Sequence, residues 1–231
     1  MTVLTVAKNV AKNIGIAEPT ELYSATDREV VELRDQIEKT ADRIAEGHDW
    51  QLFSTIGTLT GDGSAEAFDL PSDYDRMATD AEVWSSALES PLTHISSQNR
   101  WLGLDIQSFD FIINAWILYG GQLQIKPALA NTVTAQFFYQ SNLIVEDSAA
   151  ATKAQFTADD DVYRLDEGLL ELGCIWEWKS NKGQSYAEYL ETFEEKKERL
   201  VNRDRGARIV RIGRARFPSD VNIAYPQTIV G

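Results

Sequence analysis

Leu165-Asp166-Glu167-Gly168-Leu169-Leu170-Glu171-Leu172-Gly173-Cys174-Ile175-Trp176-Glu177-Trp178 decides the architecture of this chain. Leu165, Leu169, Leu172 and Trp176 recur every three or four residues and make one helical stripe. Leu170, Cys174 and Trp178 make a second stripe on a neighbouring face. So broad an apolar surface is hidden only when a helix has neighbours on more than one side. The stretch therefore predicts a central helix, ended by Lys182-Gly183, whose partners must come from the flanking sequence.

Those partners are legible on both sides. A long charged helix is expected over residues 185–205, with Tyr186, Leu190, Phe193 and Leu200 buried and Glu188, Glu191, Glu194, Glu195 and Glu198 on the outer face. Near the N-terminus, Val3, Val6, Ala7, Val10 and Ile14 share a stripe closed by Gly15. Thr26 and Glu29 stand at capping-box spacing ahead of Val30, Leu33, Ile37, Ala41 and Ile44, and that helix stops near Gly47.

Between residues 51 and 140 the period changes to two. Gly61-Asp62-Gly63 and Gly120-Gly121 are turn signals, and the second fits a two-residue hairpin. Phe109, Phe111, Ile113, Ala115, Ile117 and Tyr119 alternate before it; Leu123 and Ile125, then Val133, Ala135, Phe137 and Tyr139, alternate after it. Antiparallel strands with one wet face are expected, with a short helix near residues 96–104. The fold class is α+β: an antiparallel helical bundle formed by both chain ends, an inserted antiparallel β region and an extended C-terminal arm. The expected divisions are 1–50 for the N-terminal bundle helices, 51–150 for the β insertion, 151–205 for the C-terminal bundle helices and 206–231 for the arm.

The arm stands out by charge. Residues 199–217 hold seven arginines against Asp204 alone, in a 231-residue chain of net charge −14. After Gly206 the sequence interleaves arginine with Ile209, Val210, Ile212 and Phe217, too little apolar surface to offset the entropy of ordering by itself. It reads as a partner-binding arm, with Arg208, Arg211, Arg214 and Arg216 pairing with carboxylates and Phe217 and Tyr225 seeking pockets. Hydrophobic content of 43% fits a packed core. No apolar run reaches the length of a membrane span, no signal-peptide layout opens the chain, and one cysteine forms no internal disulfide. A pI near 4.6 opposes nucleic-acid binding by the body.

Chemistry-bearing residues are sparse. Asp159-Asp160-Asp161 offers oxygens for a hard cation, but lacks EF-hand spacing; a solvated turn leading into the helix, with Asp166 near its start, is the favoured reading. His48 and His94 are the only histidines, and Cys174 falls inside an apolar stripe. No nucleophile elbow, zinc-protease motif, phosphate loop or dinucleotide fingerprint occurs. No catalytic, cofactor or metal residues are assigned, and no enzyme activity is expected.

Several phrases in order carry a resemblance. They are His48-Asp49-Trp50-Gln51, Leu70-Pro71-Ser72-Asp73-Tyr74-Asp75-Arg76 and Phe156-Thr157-Ala158-Asp159-Asp160-Asp161, then the central helix with Trp176-Glu177-Trp178-Lys179, then Gly183 with Tyr186-Ala187. Together, over residues 1–205, they resemble the head-to-tail adaptor (connector) proteins of tailed bacteriophages, especially short-tailed ones. The resemblance implies a virion structural protein at the head–tail junction, made in the host cytoplasm. It implies a homo-oligomeric, twelvefold ring below the portal protein that extends the DNA channel and gives tail or nozzle proteins a platform. DNA would pass without specific binding, and no membrane is involved. On that view Glu188, Glu191, Glu194, Glu195 and Glu198 line the channel, where acid repels phosphate. The alternative is a nucleic-acid-binding protein gripping DNA with the Arg-rich arm, and a third reading is a metal-dependent hydrolase at Asp159–Asp161.

Overall fold

Thr2 and Gly15 bracket the first helix as the sequence requires. In the computed structural model, which describes residues 1–106 and 114–204, α1 (Val3–Ile14) is capped by the Thr2 hydroxyl, which accepts from the Thr5 amide. Gly15 closes it at φ 79°, a left-handed conformation that a side chain would strain. Helix α2 (Arg28–Glu46) follows. The expected capping box is absent: Asp27 is the N-cap and makes no side-chain cap bond. Because the helix starts at Arg28, Glu29 falls at the second helical position, one short of where it could reach back.

After a turn of 3-10 helix (Gln51–Phe53) come β1 (Ser54–Thr60), β2 (Ala67–Asp69), β3 (Tyr74–Met77), β4 (Trp84–Ser85), β5 (Ser90–Pro91) and β6 (Thr93–His94). Helix α3 (Gln98–Ile106) precedes β7 (Ala115–Tyr119), β8 (Gln122–Lys126) and β9 (Thr134–Ser141). Then come β10 (Val145–Glu146), β11 (Thr152–Lys153), β12 (Val162–Tyr163), α4 (Glu167–Asn181) and α5 (Ala187–Asp204). Phe109, Phe111 and Ile113 of the expected strand lie outside the described residues, as does the arm with Arg208, Arg211, Arg214, Arg216, Phe217 and Tyr225.

The strands form three sheets. β9 is the hub of the largest, flanked by β1 on one side and by β3 and β4 on the other, with β5 beyond β4. The second runs β2-β8-β7-β6, and the third β11-β10-β12. Gly120 and Gly121 both take positive φ and close the β7–β8 hairpin as expected. Not every pair is antiparallel: β6 lies parallel to β7. Alternation also fails at the start of β7, where Ala115, Trp116 and Ile117 are all buried. The reason is that both faces are covered. Ala115 and Ile117 pack with Ile95 and Trp101 of the α3 region, while Trp116 joins Leu123, Ile125 and Phe137 on the opposite side.

The helices share one core. Val6 and Val10 of α1, Leu33, Ile37 and Ile44 of α2, Leu170, Cys174 and Trp178 of α4 and Phe193 of α5 belong to the same buried cluster, with Val145 and Tyr163 from the third sheet. Of the two α4 stripes, Leu170-Cys174-Trp178 is fully buried, as is Leu169. Leu172 and Trp176, expected in the core, are only half-buried, because among the described residues α5 is the neighbour on that side. Trp176 meets Tyr186 and Phe193 there, at ring separations of 6.4 and 6.1 Å. Gly173 makes the close packing possible: a Cβ there would stand 2.6 Å from Thr40 Cγ2 and 3.2 Å from Phe193 Cε2. Tyr186 lies just before α5 and is exposed, so Phe193 is the one fully buried anchor of that helix.

Candidate functional site

The phrases singled out in the sequence are joints between elements. At the junction of helices and sheets, Asp49 accepts from Arg76 Nη2 at 3.2 Å and from the Thr79 amide at 2.7 Å. Arg76 also donates to the carbonyls of Ala45 and His48, at the end of α2. Burial alone would raise the Asp49 carboxyl; the Thr79 amide and Arg76 outweigh it and hold it below its ordinary value. Trp50 donates its ring N–H to the Ile44 carbonyl at 2.9 Å, and the Gln51 amide donates to Asp204 Oδ2 at 3.1 Å. His48 stands edge-on to Trp50 with Nε2 3.4 Å from Asp204. The neighbours His48 and Asp49 thus serve different partners and make no shared site. Asp73 accepts from the Tyr139 hydroxyl at 2.8 Å; burial and that bond push the phenol up to about 12.

Asp159-Asp160-Asp161 is not the solvated turn the sequence suggested. The Asp161 side chain has no solvent exposure; it accepts from the amides of Thr157 (2.6 Å) and Ala158 (3.0 Å) and pairs with Lys153 Nζ at 2.7 Å. Asp159 Oδ1 accepts from the amides of Leu22 and Tyr23, tying the linker between α1 and α2 to this loop. The backbone carbonyl of Asp161 accepts from the Val3 amide at 2.7 Å. Asp160 is exposed and Asp159 half-buried. Two of the three carboxylates are spent on backbone amides in different directions, which is a staple and not a cation cage. Among the described residues no three His, Cys, Asp or Glu side chains converge as a metal site requires. Cys174 is fully buried, and burial pushes its thiol well above the usual range.

One buried acid escaped the sequence reading. Glu177 lies three residues after Cys174 of the second stripe, and that position was its only signal. Its carboxylate accepts from Arg43 and Gln36 and, at 3.1 Å, from the Thr40 hydroxyl. Burial raises the carboxyl above its ordinary value, although Arg43, Thr40 and Gln36 each pull it down. With the native value above the unfolded one, folding favours the neutral acid. That stability is complete below the ordinary glutamate value of about 4.3 and is lost as pH rises through the native value. Glu177→Gln stays neutral throughout. It is expected to remove this slope from melting curves taken between pH 4 and 7, and to match the parent within about 1 kcal/mol at pH 7. A loss of about 3 kcal/mol at pH 7 would show that the charge itself holds the helices together.

On α5, Glu188, Glu191, Glu194, Glu195 and Glu198 are all exposed. Their spacing confines them to roughly a third of the helical circumference. The opposite side carries Phe193 into the core, and Lys196 pairs with Asp166 at 2.7 Å. Among the described residues none of these glutamates is held in an ion pair, although Lys197 lines the same groove as Glu191, Glu194, Glu195 and Glu198, so the face is predominantly acidic.

A family model described as SU10 adaptor protein matches residues 1–215. The chain belongs to this family. These are phage head-to-tail adaptors, so the chain is a structural component of the virion, associated with portal and tail proteins. No curated protein matches the chain. The match runs past α5 into the arm as far as Arg208, Arg211 and Arg214, and stops before Arg216, Phe217 and Tyr225. The joints described above tie the end of α2 to β3 and the linker between α1 and α2 to the Asp159 loop. No helix among the described residues is long and apolar enough to cross a membrane.

Proposed function

We propose that this adaptor assembles as a twelvefold ring beneath the portal, with the helices of both chain ends packed as an antiparallel bundle in the body of each subunit. The α5 face of Glu188, Glu191, Glu194, Glu195 and Glu198 lines the DNA channel. Residues 206–231 reach the portal or a neighbouring subunit through Arg208, Arg211, Arg214, Arg216, Phe217 and Tyr225, and the opposite pole receives tail or nozzle proteins. The adaptor acts by shape and charge, without catalysis. Five exposed glutamates on one helix face support the reading: repeated around a ring, they would repel phosphate over about one Debye length, roughly 10 Å, and let DNA slide.

Electron microscopy of the purified protein, alone and mixed with its portal, tests the ring. A second measurement tests the lining. Replacing the five glutamates with lysine is expected to give rings that retain duplex DNA at about 0.15 M salt, whereas parent rings release it. Parent protein that binds DNA through the arm, with affinity falling steeply in salt, would favour the nucleic-acid-binding alternative.

A further inference from the structure

Strand β1 is the edge of the five-stranded sheet; among the described residues it pairs only with β9. Its sequence, Ser54-Thr55-Ile56-Gly57-Thr58-Leu59-Thr60, holds no charge and no proline. Its register with β9 is unbroken over all seven pairs, so no bulge turns the edge away. Soluble proteins blunt such edges with lysine, proline, bulges or a covering element, because open N–H and C=O groups recruit other strands. Among the described residues, none of these devices is present on β1.

The outward face beside this edge is open too. Ile56 stands opposite Phe138, and Trp84 stands opposite Gln136, two residues from Phe138 on the same side. Ile56 is 54% exposed, Phe138 52% and Trp84 49%. Thr58 and Gln136 complete a row without a charged side chain. At the far end of this face, Arg76, opposite Gln140, bonds to the carbonyls that end α2, so the helices cover that end alone.

Charge decides what fits. Two copies of a chain of net charge −14 repel wherever acid meets acid, and a face without charge is where they approach with least opposition. An aromatic, charge-depleted centre is also the composition of subunit contacts. We infer that the Ile56–Phe138–Trp84 face and the free edge of β1 are covered by a second copy of this chain, which pairs its backbone along β1 and packs over the three apolar side chains. This rests on the ring reading and assigns that ring a subunit contact.

The test uses the full chain. Phe138→Asp and Ile56→Asp are sized by native mass spectrometry, alone and with portal protein, and their folds are compared with the parent by circular dichroism. Expected is a folded subunit that no longer joins its copies under conditions where the parent assembles. Leu102→Asp, at a comparably exposed apolar residue of α3, should assemble as the parent does. Hydrogen exchange of the β1 amides supplies a readout independent of the variants: protection should rise with protein concentration. Sheet-face variants that assemble as the parent does overturn the inference while leaving the ring intact. So does β1 protection that is independent of concentration, which would assign the edge to the chain's own C-terminal residues, or protection that comes only with a tail protein. A parent that forms no ring even on its portal overturns the ring reading instead.

Discussion

Asp161→Ala is expected to lower the unfolding free energy by roughly 3–5 kcal/mol and the melting temperature by about 10 °C. The substitution strands a cation and two amides at once. Lys153 loses its partner at 2.7 Å, and the Thr157 and Ala158 amides lose their acceptor in a part-buried loop. Lys153 keeps 27% of its side chain exposed, which lets water offset part of the loss and places the result toward the lower end. The pH dependence follows from the same contacts. Burial would raise the Asp161 carboxyl, but Lys153 and the two amides outweigh it and hold it below its ordinary value. A depressed native value contributes stability that is complete above about pH 3.9 and is lost as pH falls through the native value. The gap between parent and variant, read from thermal melts, should therefore be widest near neutrality and close in acid. A variant that melts within about 1 °C of the parent at pH 7 would show the loop to be a surface turn after all.

Leu170→Ala is expected to cost about 2–5 kcal/mol in urea unfolding, as truncation of a fully enclosed leucine does. Leu170 belongs to the buried cluster shared by α1, α2 and the third sheet and has no solvent exposure. Leu172, on the half-open side toward α5, is the control: its truncation should cost less than half as much. Equal losses at the two positions would mean that α4 is turned differently about its axis.

These two residues also mark where sequence reading stops. Periodicity located α4 and gave it two apolar stripes, because the 3.6-residue repeat is a local property of the chain. Which stripe is the buried one depended on how many elements pack on each side, and that count is not written in the helix. The same holds for β7: the hairpin was legible in Gly120-Gly121, whereas the burial of Ala115, Trp116 and Ile117 together needed α3 on one face and the large sheet's core on the other. The capping box failed by a single position, the scale on which a helix start is set by the chain that leads into it.

The candidate site divides in the same way. Five glutamates on one side of α5 followed from spacing alone, and so did their exposure, since a charged face opposite Phe193 has nowhere else to go. The staple at Asp159–Asp161 could not be read. Asp159 takes its donors from residues 22 and 23, far along the chain. Although Asp161 bonds to the nearby amides of Thr157 and Ala158, its burial depends on the elements packed over that turn. Glu177 was hidden for a related reason: an acid between two tryptophans reads as a surface residue until Gln36, Thr40 and Arg43 of α2 close over it. Local periodicity and the order of short phrases were enough for the helices, the hairpin, the acidic face and the family to which the chain belongs. Which acids are buried, which stripe is core and which sheet edge lacks a second partner among the described residues were settled by tertiary packing alone, because burial is a relation between segments far apart along the chain.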